Sequence, residues 1–164
     1  MINQEVAAML VEQINKELHS GYLYLEFANY YEDRKLPGFA QWFVAQAGEE
    51  NGHAYKIRRF LIDAGQKVAL AAIAEPQHSF TGPREPLEAA LKHEQYITAS
   101  INTILEKAIQ TRDFLTAEFL QWFVKEQGEE EMNAQQNLDK FDMVGEAGPG
   151  LFLLDMEFGK RGGK

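Results

Sequence analysis

The chain reads as all-α: a four-helix bundle of two antiparallel helix pairs joined by a long crossover, with a short fifth helix at the C-terminal end. Three observations predict this. Apolar residues recur every three or four positions through long stretches, which is helical and not strand period. Only 5 Pro occur, and none falls between positions 1 and 36 or between 87 and 148. The segment QWFVAQAGEE at 41–50 returns as QWFVKEQGEE at 121–130, identical at seven of ten positions, which implies two related helix pairs. A length of 164 residues at 45% hydrophobic composition suits one domain over 1–164 with a sizeable core.

The first helix is expected from about residue 3 to 33, because Asn3 is a good N-cap and Arg34-Lys35-Leu36-Pro37-Gly38 reads as a turn. The second runs over about 39–64 and stops at Gly65, a residue suited to the left-handed position that often follows helices. Within it, Asn51-Gly52 is ordinarily a turn signal. The apolar rhythm stays in phase across it, from Ala40, Phe43 and Ala47 to Ala54, Ile57 and Leu61, so the helix absorbs roughly 1 kcal/mol for Gly52 and continues. Residues 66–84, with Pro76, Gly82 and Pro83, have no sustained amphipathic face and form the crossover. The third helix spans about 86–111, with Pro86 in a first turn where its missing N–H costs nothing. Asp113 caps a fourth, over about 113–143, and GEAGPG then separates off a short apolar helix at 149–158. Short joints force antiparallel neighbours, whereas nineteen residues can travel the length of a bundle.

Charge and composition exclude several classes of function. With 16 Lys and Arg against 25 Asp and Glu, the net charge of −9 has the wrong sign for gripping a phosphate backbone, so no nucleic acid is expected. Zero Cys removes disulfides, thiolate metal sites and cysteine nucleophiles, so any metal must be held by oxygen and nitrogen. The first residues lack the order of a secretory signal, and no run reaches membrane-span length. A soluble cytoplasmic protein with no membrane partner is expected.

The inward stripes contain acids. They read Leu10, Ile14, Glu17, Gly21, Tyr24, Ala28; then Ala40, Phe43, Ala47, Glu50, Ala54, Ile57, Leu61; then Leu87, Ala90, Glu94, Ile97, Ile101, Ile104, Ala108; then Leu120, Phe123, Gln127, Glu130, Ala134, Leu138, Phe141. An ionised carboxylate in a bundle core loses several kcal/mol of hydration, and four together repel one another. No Lys or Arg interrupts the stripes, which leaves a bound cation or protonation as compensation. His53 lies three residues after Glu50 and so on the same face. Glu-x-x-His alone is a weak motif; the coincidence of four acids with it is specific. One Glu from each of two helices plus Glu-x-x-His from the others is the donor set of carboxylate-bridged di-iron and di-manganese bundles. Here the second such motif has become Glu130-x-x-Asn133.

On Glu17, Tyr24, Glu50 with His53, Glu94 and the run from Glu126 to Glu130, the chain resembles the non-haem bacterial ferritins over essentially its whole length. The resemblance implies a ferritin-like fold and a di-iron centre in which Glu17 and His53 are terminal ligands of one iron. Glu50 would be the bridge, and Glu94 and Glu130 would hold the second iron with Gln127 beside it. Glu49, Glu126 and Glu129, with Glu130, resemble the accessory third iron site. Bacterioferritin has a haem-ligating Met where this chain has Asn51, so no haem is expected; rubrerythrin's cysteine-held iron domain is excluded by composition.

The implied activity is that of a ferroxidase, oxidising Fe(II) with O2 or H2O2 and storing a ferric mineral in a hollow homo-oligomer of twenty-four subunits. Carboxylates with one imidazole also suit Mn(II) and Zn(II), so donor type alone does not choose the metal. Two other readings stay open: a di-iron oxidase or peroxidase that keeps its metals, and a purely structural bundle. Tyr24 is either a partner of a ligand carboxylate, an electron source, or core. His19, His78 and His93 are read as bystanders, and Trp42 and Trp122 as packing residues.

Overall fold

The computed structural model describes residues 2–161, and their regular elements are α1 (Gln4–Asp33), α2 (Pro37–Asp63), α3 (Glu85–Gln110), α4 (Phe114–Val144) and α5 (Pro149–Phe158). Every position of the four predicted stripes is buried. The caps follow the sequence: Asn3 Oδ1 accepts from the N–H groups of Glu5 and Val6, and Asp113 accepts from Thr116 N. Asp113 also accepts from the Asn3 backbone N–H at 2.8 Å, tying the start of α1 to the start of α4. Gly65, at φ +76, follows the end of α2. That helix passes through Asn51-Gly52 without a break, and a Cβ on Gly52 would face open space.

One boundary differs from expectation. Pro37 belongs to the first turn of α2 and not to a turn before it. The reversal is made by Arg34 and by Lys35 at φ 60, and Pro37 then fits a first turn for the same reason as Pro86, since that turn needs no N–H.

The topology follows from how the core divides. One apolar cluster, rich in aromatic residues, takes Tyr24 and Phe27 from α1, Phe43 and Ala47 from α2, Leu87 and Ala90 from α3, and Leu138 and Phe141 from α4. The other, mostly aliphatic, takes Leu10 and Ile14, Ala54 and Ile57, Ile97 and Ile101, and Leu120 and Phe123. Along α1 and α4 the chain meets the aliphatic cluster first; along α2 and α3 it meets the aromatic one first. The helices therefore run up, down, down, up. Two parallel neighbours in sequence, α2 and α3, require a connection that returns the full length of the bundle, and residues 66–84 supply it. In every helix the Glu lies between the two clusters.

α5 closes the aromatic end. α2 has no side-chain cap of its own, and Asp155 of α5 supplies one by accepting from Phe39 N at 3.0 Å, while Phe158 lies 4.3 Å from Phe39 between ring centroids. Gly38 permits this approach, because a Cβ there would sit 1.7 Å from the Asp155 carbonyl oxygen. Gly38→Ala should therefore displace α5 and lower stability by about 1–3 kcal/mol, the usual range for overpacking. Thermal unfolding checks this: an unchanged or raised Tm, as helix propensity alone would give, contradicts the docking described.

Candidate metal centre

Glu17, Glu50, Glu94 and Glu130 form one layer across the bundle, each between 0% and 4% exposed, with His53 beside them at 5%. Two groups of donor atoms in this layer are compact enough for a metal ion, Glu17–Glu50–His53 and Glu50–Glu94–Glu130, each with its atoms within 4.8 Å of one another. They share Glu50. His53 Nδ1 lies 3.2 Å from Glu50 Oε2 and 3.9 Å from Glu17 Oε2. Tyr24 donates its hydroxyl proton to Glu94 Oε1, and Gln127 Nε2 donates to Glu94 Oε2 at 3.1 Å.

The electrostatics are those of a site short of positive charge. Among the described residues, the only cationic partner within 4 Å of any of the four carboxylates is His53. Burial, reinforced by the Glu50 charge, pushes the Glu17 carboxyl well above its ordinary range. The same two causes raise Glu94 to about 8 and Glu130 to about 7. For His53, burial opposes protonation, but the hydrogen bond and charge of Glu50, with Glu17 and Glu130, outweigh it and raise the imidazole to about 9. Tyr24 is pushed well upward by burial and then by Glu94, so its phenol stays protonated. One oxygen, Glu17 Oε2, is buried with no hydrogen-bond partner. A divalent cation would satisfy that atom and replace the protons these carboxyls otherwise need.

Comparison with known proteins agrees with this geometry. A Ferritin-like domain matches residues 7–144. A bacterial non-heme ferritin of Campylobacter jejuni is 38% identical over 155 residues, 94% of this chain and 93% of its own. One from Bacteroides fragilis is 34% identical, covering 98% of this chain and 100% of its own. The chain belongs to the bacterial non-haem ferritin family. The fold agrees: an open pore ferritin of Archaeoglobus fulgidus superposes with a TM-score of 0.96 at 38% identity, covering 98% of each chain.

Against the ferritin resemblance, the remaining residues fall into place unevenly. Gln127 is held against Glu94, as its predicted position beside the second group requires. Of the accessory acids, Glu126 approaches the centre, with Oε1 3.8 Å from His53 Nε2, and it forms a third compact donor group with His53 and Glu130. Glu49 pairs with Arg161 at 2.7 Å while its charge still helps raise the Glu130 carboxyl, and Glu129 is exposed beside Lys125. Asn133 is half-buried, and Asn51 packs against Gly21, whose added Cβ would meet its Oδ1 at 3.0 Å. His19, His78 and His93 lie outside the three donor groups. Trp42 packs in the core as expected; Trp122 is 39% exposed and lies edge-on to His53, with Lys56 Nζ 4.1 Å above its ring.

Two residues that hold the buried carboxylates have no place among the sequence-predicted site residues. Gln13 Nε2 donates to Glu17 Oε1 at 2.8 Å, and Gln46 Nε2 donates to Glu50 Oε1 at 2.9 Å and to Glu130 Oε2 at 2.7 Å. Each stands one turn before the Glu it holds. That i, i+4 spacing of Gln and an inward Glu is the signal that marks them.

The raised values give a pH dependence with a definite sign. Carboxyls at about 8 and 7 when folded, against about 4.3 in an unfolded chain, bind protons in the folded state that the unfolded state has released. Their stability contribution is full below about pH 4.3 and is lost as pH rises through 7 and 8. His53 adds a loss of the same sign between about 6.5 and 9. The lowered carboxyls, Glu5, Glu85, Glu88 and Asp142, titrate below this window. Burial lowers His93 to about 4, which opposes the trend only below about pH 6.5 and is outweighed there by Glu17, Glu94 and Glu130. Metal-free protein should therefore lose thermal stability steadily from pH 5 to pH 9, and a saturating divalent cation should abolish that slope. A Tm that holds level or climbs over this range without metal would contradict the protonation described.

Proposed function

We propose that this chain is a ferroxidase and iron-storage subunit: it oxidises Fe(II) to Fe(III) with O2 or H2O2 and delivers the product to a ferric oxyhydroxide mineral inside a hollow cytoplasmic shell of twenty-four copies. The carrying observation is the sharing of Glu50 by two buried donor groups. A carboxylate common to two sites holds two cations roughly 3.5–4 Å apart, so that one oxidant can accept an electron from each. Fe(II) is here the substrate. Glu17 and His53 would bind the first ion, Glu94 and Glu130 the second, with Glu50 between them. Two Fe(II) reduce one O2 to H2O2 with uptake of two protons, and hydrolysis of the Fe(III) product returns protons to solvent.

The remaining side chains shape this chemistry. Gln127 and Tyr24 hold Glu94 by its two oxygens, and Gln46 keeps Glu50 and Glu130 together. The second group contains no imidazole, only oxygen donors, and so should hold its ion less tightly than the first; that favours turnover into storage over retention. Glu126 and Glu130, with Glu49 and Glu129, would form the accessory third iron site, beginning from the compact group that Glu126 makes with His53 and Glu130.

Two observations support assembly and a soluble setting. Phe152, Leu153 and Met156 on the outer side of α5 are 65%, 64% and 54% exposed, an apolar face that a neighbouring copy would cover. No helix among the described residues is long and apolar enough to cross a membrane.

Anaerobic Fe(II) titration followed by air, with light scattering on the product, tests the proposal. Two or three Fe(II) per chain should bind, oxidise rapidly, and then be followed by loading far beyond that ratio in a particle of about twenty-four chains. Replacement of both Glu50 and His53 by Ala should slow oxidation at least tenfold, since even supporting residues of metal sites contribute about 10–100-fold. Wild-type rates in that double variant would sink the proposal; loading that stops at two irons per chain would instead indicate an oxidase that keeps its metals.

A further inference from the structure

The seam between α1 and α3 carries a chain of hydrogen bonds from the surface to Glu17. It begins at Lys16, which borders an open groove of about 400 Å³ together with Tyr96 and Ser100. Lys16 Nζ donates to Ser100 Oγ at 2.8 Å, Ser100 Oγ donates to Gln13 Oε1 at 2.6 Å, and Gln13 Nε2 donates to Glu17 Oε1 at 2.8 Å. Gln13 and Glu17 are both fully buried.

The two ends of this chain differ in what they can do. An ammonium only donates, so Ser100 must accept from Lys16 and spend its single proton on Gln13. The ionised Glu17 carboxylate that a cation would bind only accepts, so Gln13 must turn its amide N–H towards it. Both ends demand the same orientation of the Gln13 amide. Gln46 shows what happens without such an anchor: it donates to Glu50 and Glu130, but its own Oε1 is buried and unpartnered, so nothing on its far side fixes it. Glu17 in consequence has one oxygen engaged by Gln13 and the other, Oε2, without a hydrogen-bond partner and 3.9 Å from His53 Nδ1.

We infer that Lys16 and Ser100 act through Gln13 as positioning residues for the first metal group, fixing which Glu17 oxygen is left free for the cation. This rests on the reading of Glu17 as a ligand of that group. Without the Ser100 hydroxyl, the Gln13 amide can rotate and present its carbonyl oxygen to Glu17, where lone pairs oppose and the carboxylate must move. Of the second group only the shared Glu50 lies beside Glu17; Glu94 and Glu130 are held by Tyr24, Gln127 and Gln46 and make no hydrogen bond to this chain, so that group should respond little.

Anaerobic Co(II) titration of the full protein, followed by optical absorption and calorimetry, separates the two groups. In Ser100→Ala and in Lys16→Met, one of the two Co(II) ions should bind about 10–100-fold more weakly, the range measured for residues that orient metal ligands, while the other stays within about threefold. Ser100→Thr, which keeps the hydroxyl, should restore the first ion. Two Co(II) bound with unchanged affinities in both variants would overturn the inference alone. Equal weakening of both ions, or failure of Thr to rescue, would also overturn it, because that is the mark of general loosening. A wild-type protein that binds no Co(II) or Fe(II) would overturn the proposed function and this inference with it.

Discussion

Four carboxylates buried in one layer cost several kcal/mol of hydration each, and the rest of the molecule is arranged around that cost. A layer of charge cannot lie at the edge of a small core without drawing in water. Here it sits midway, with an aromatic cluster on one side and an aliphatic cluster on the other. Helices of 26–31 residues are what such an arrangement needs, since each must bury apolar residues both before and after its Glu. The up, down, down, up order, the long crossover and the docking of α5 over the aromatic end all serve to keep both halves closed.

The same cost sets the chemistry. Protons can stand in for cations, as the raised Glu94 and Glu130 carboxyls indicate, but they bring no electrons for an oxidant. Glu50, common to two donor groups, has the geometry to join two ions. The imidazole of His53 serves only one of those two groups, so the pair is asymmetric from the start. Hydrogen bonds from Gln13, Gln46, Gln127 and Tyr24 hold the carboxylates without adding charge, which leaves the layer's deficit intact for a cation to fill.

Much of this was legible in the sequence because burial on a helix is periodic. Glu17, Glu50, Glu94 and Glu130 stand at stripe positions otherwise held by Leu, Ile, Ala and Phe, and an acid there is conspicuous without any structure. The bridging role proposed for Glu50 is what the family resemblance implies, and the geometry that supports it appears only when helices from both pairs meet. What periodicity does not show is pairing across the fold. Arg161 meets Glu49 from 112 positions away, and Ser100 meets Gln13 from 87. Glutamine also carries no charge to draw notice, so Gln13 and Gln46 read as ordinary polar residues. Pro37 was misplaced because the same residue serves a turn and a helix start, and the left-handed Lys35 that decides between them has no sequence signature of its own.

In the proposed centre two cations, joined by Glu50, replace the protons of the buried acid layer. Anomalous diffraction at the metal absorption edge, from crystals equilibrated with Fe(II) under anaerobic conditions, tests it most directly. The account predicts two peaks within the bundle, about 3.5–4 Å apart, one between Glu17 and His53 and the other between Glu94 and Glu130, with Glu50 reaching both. A layer that stays free of metal at saturating Fe(II), or a single peak that Glu50 does not touch, would contradict it.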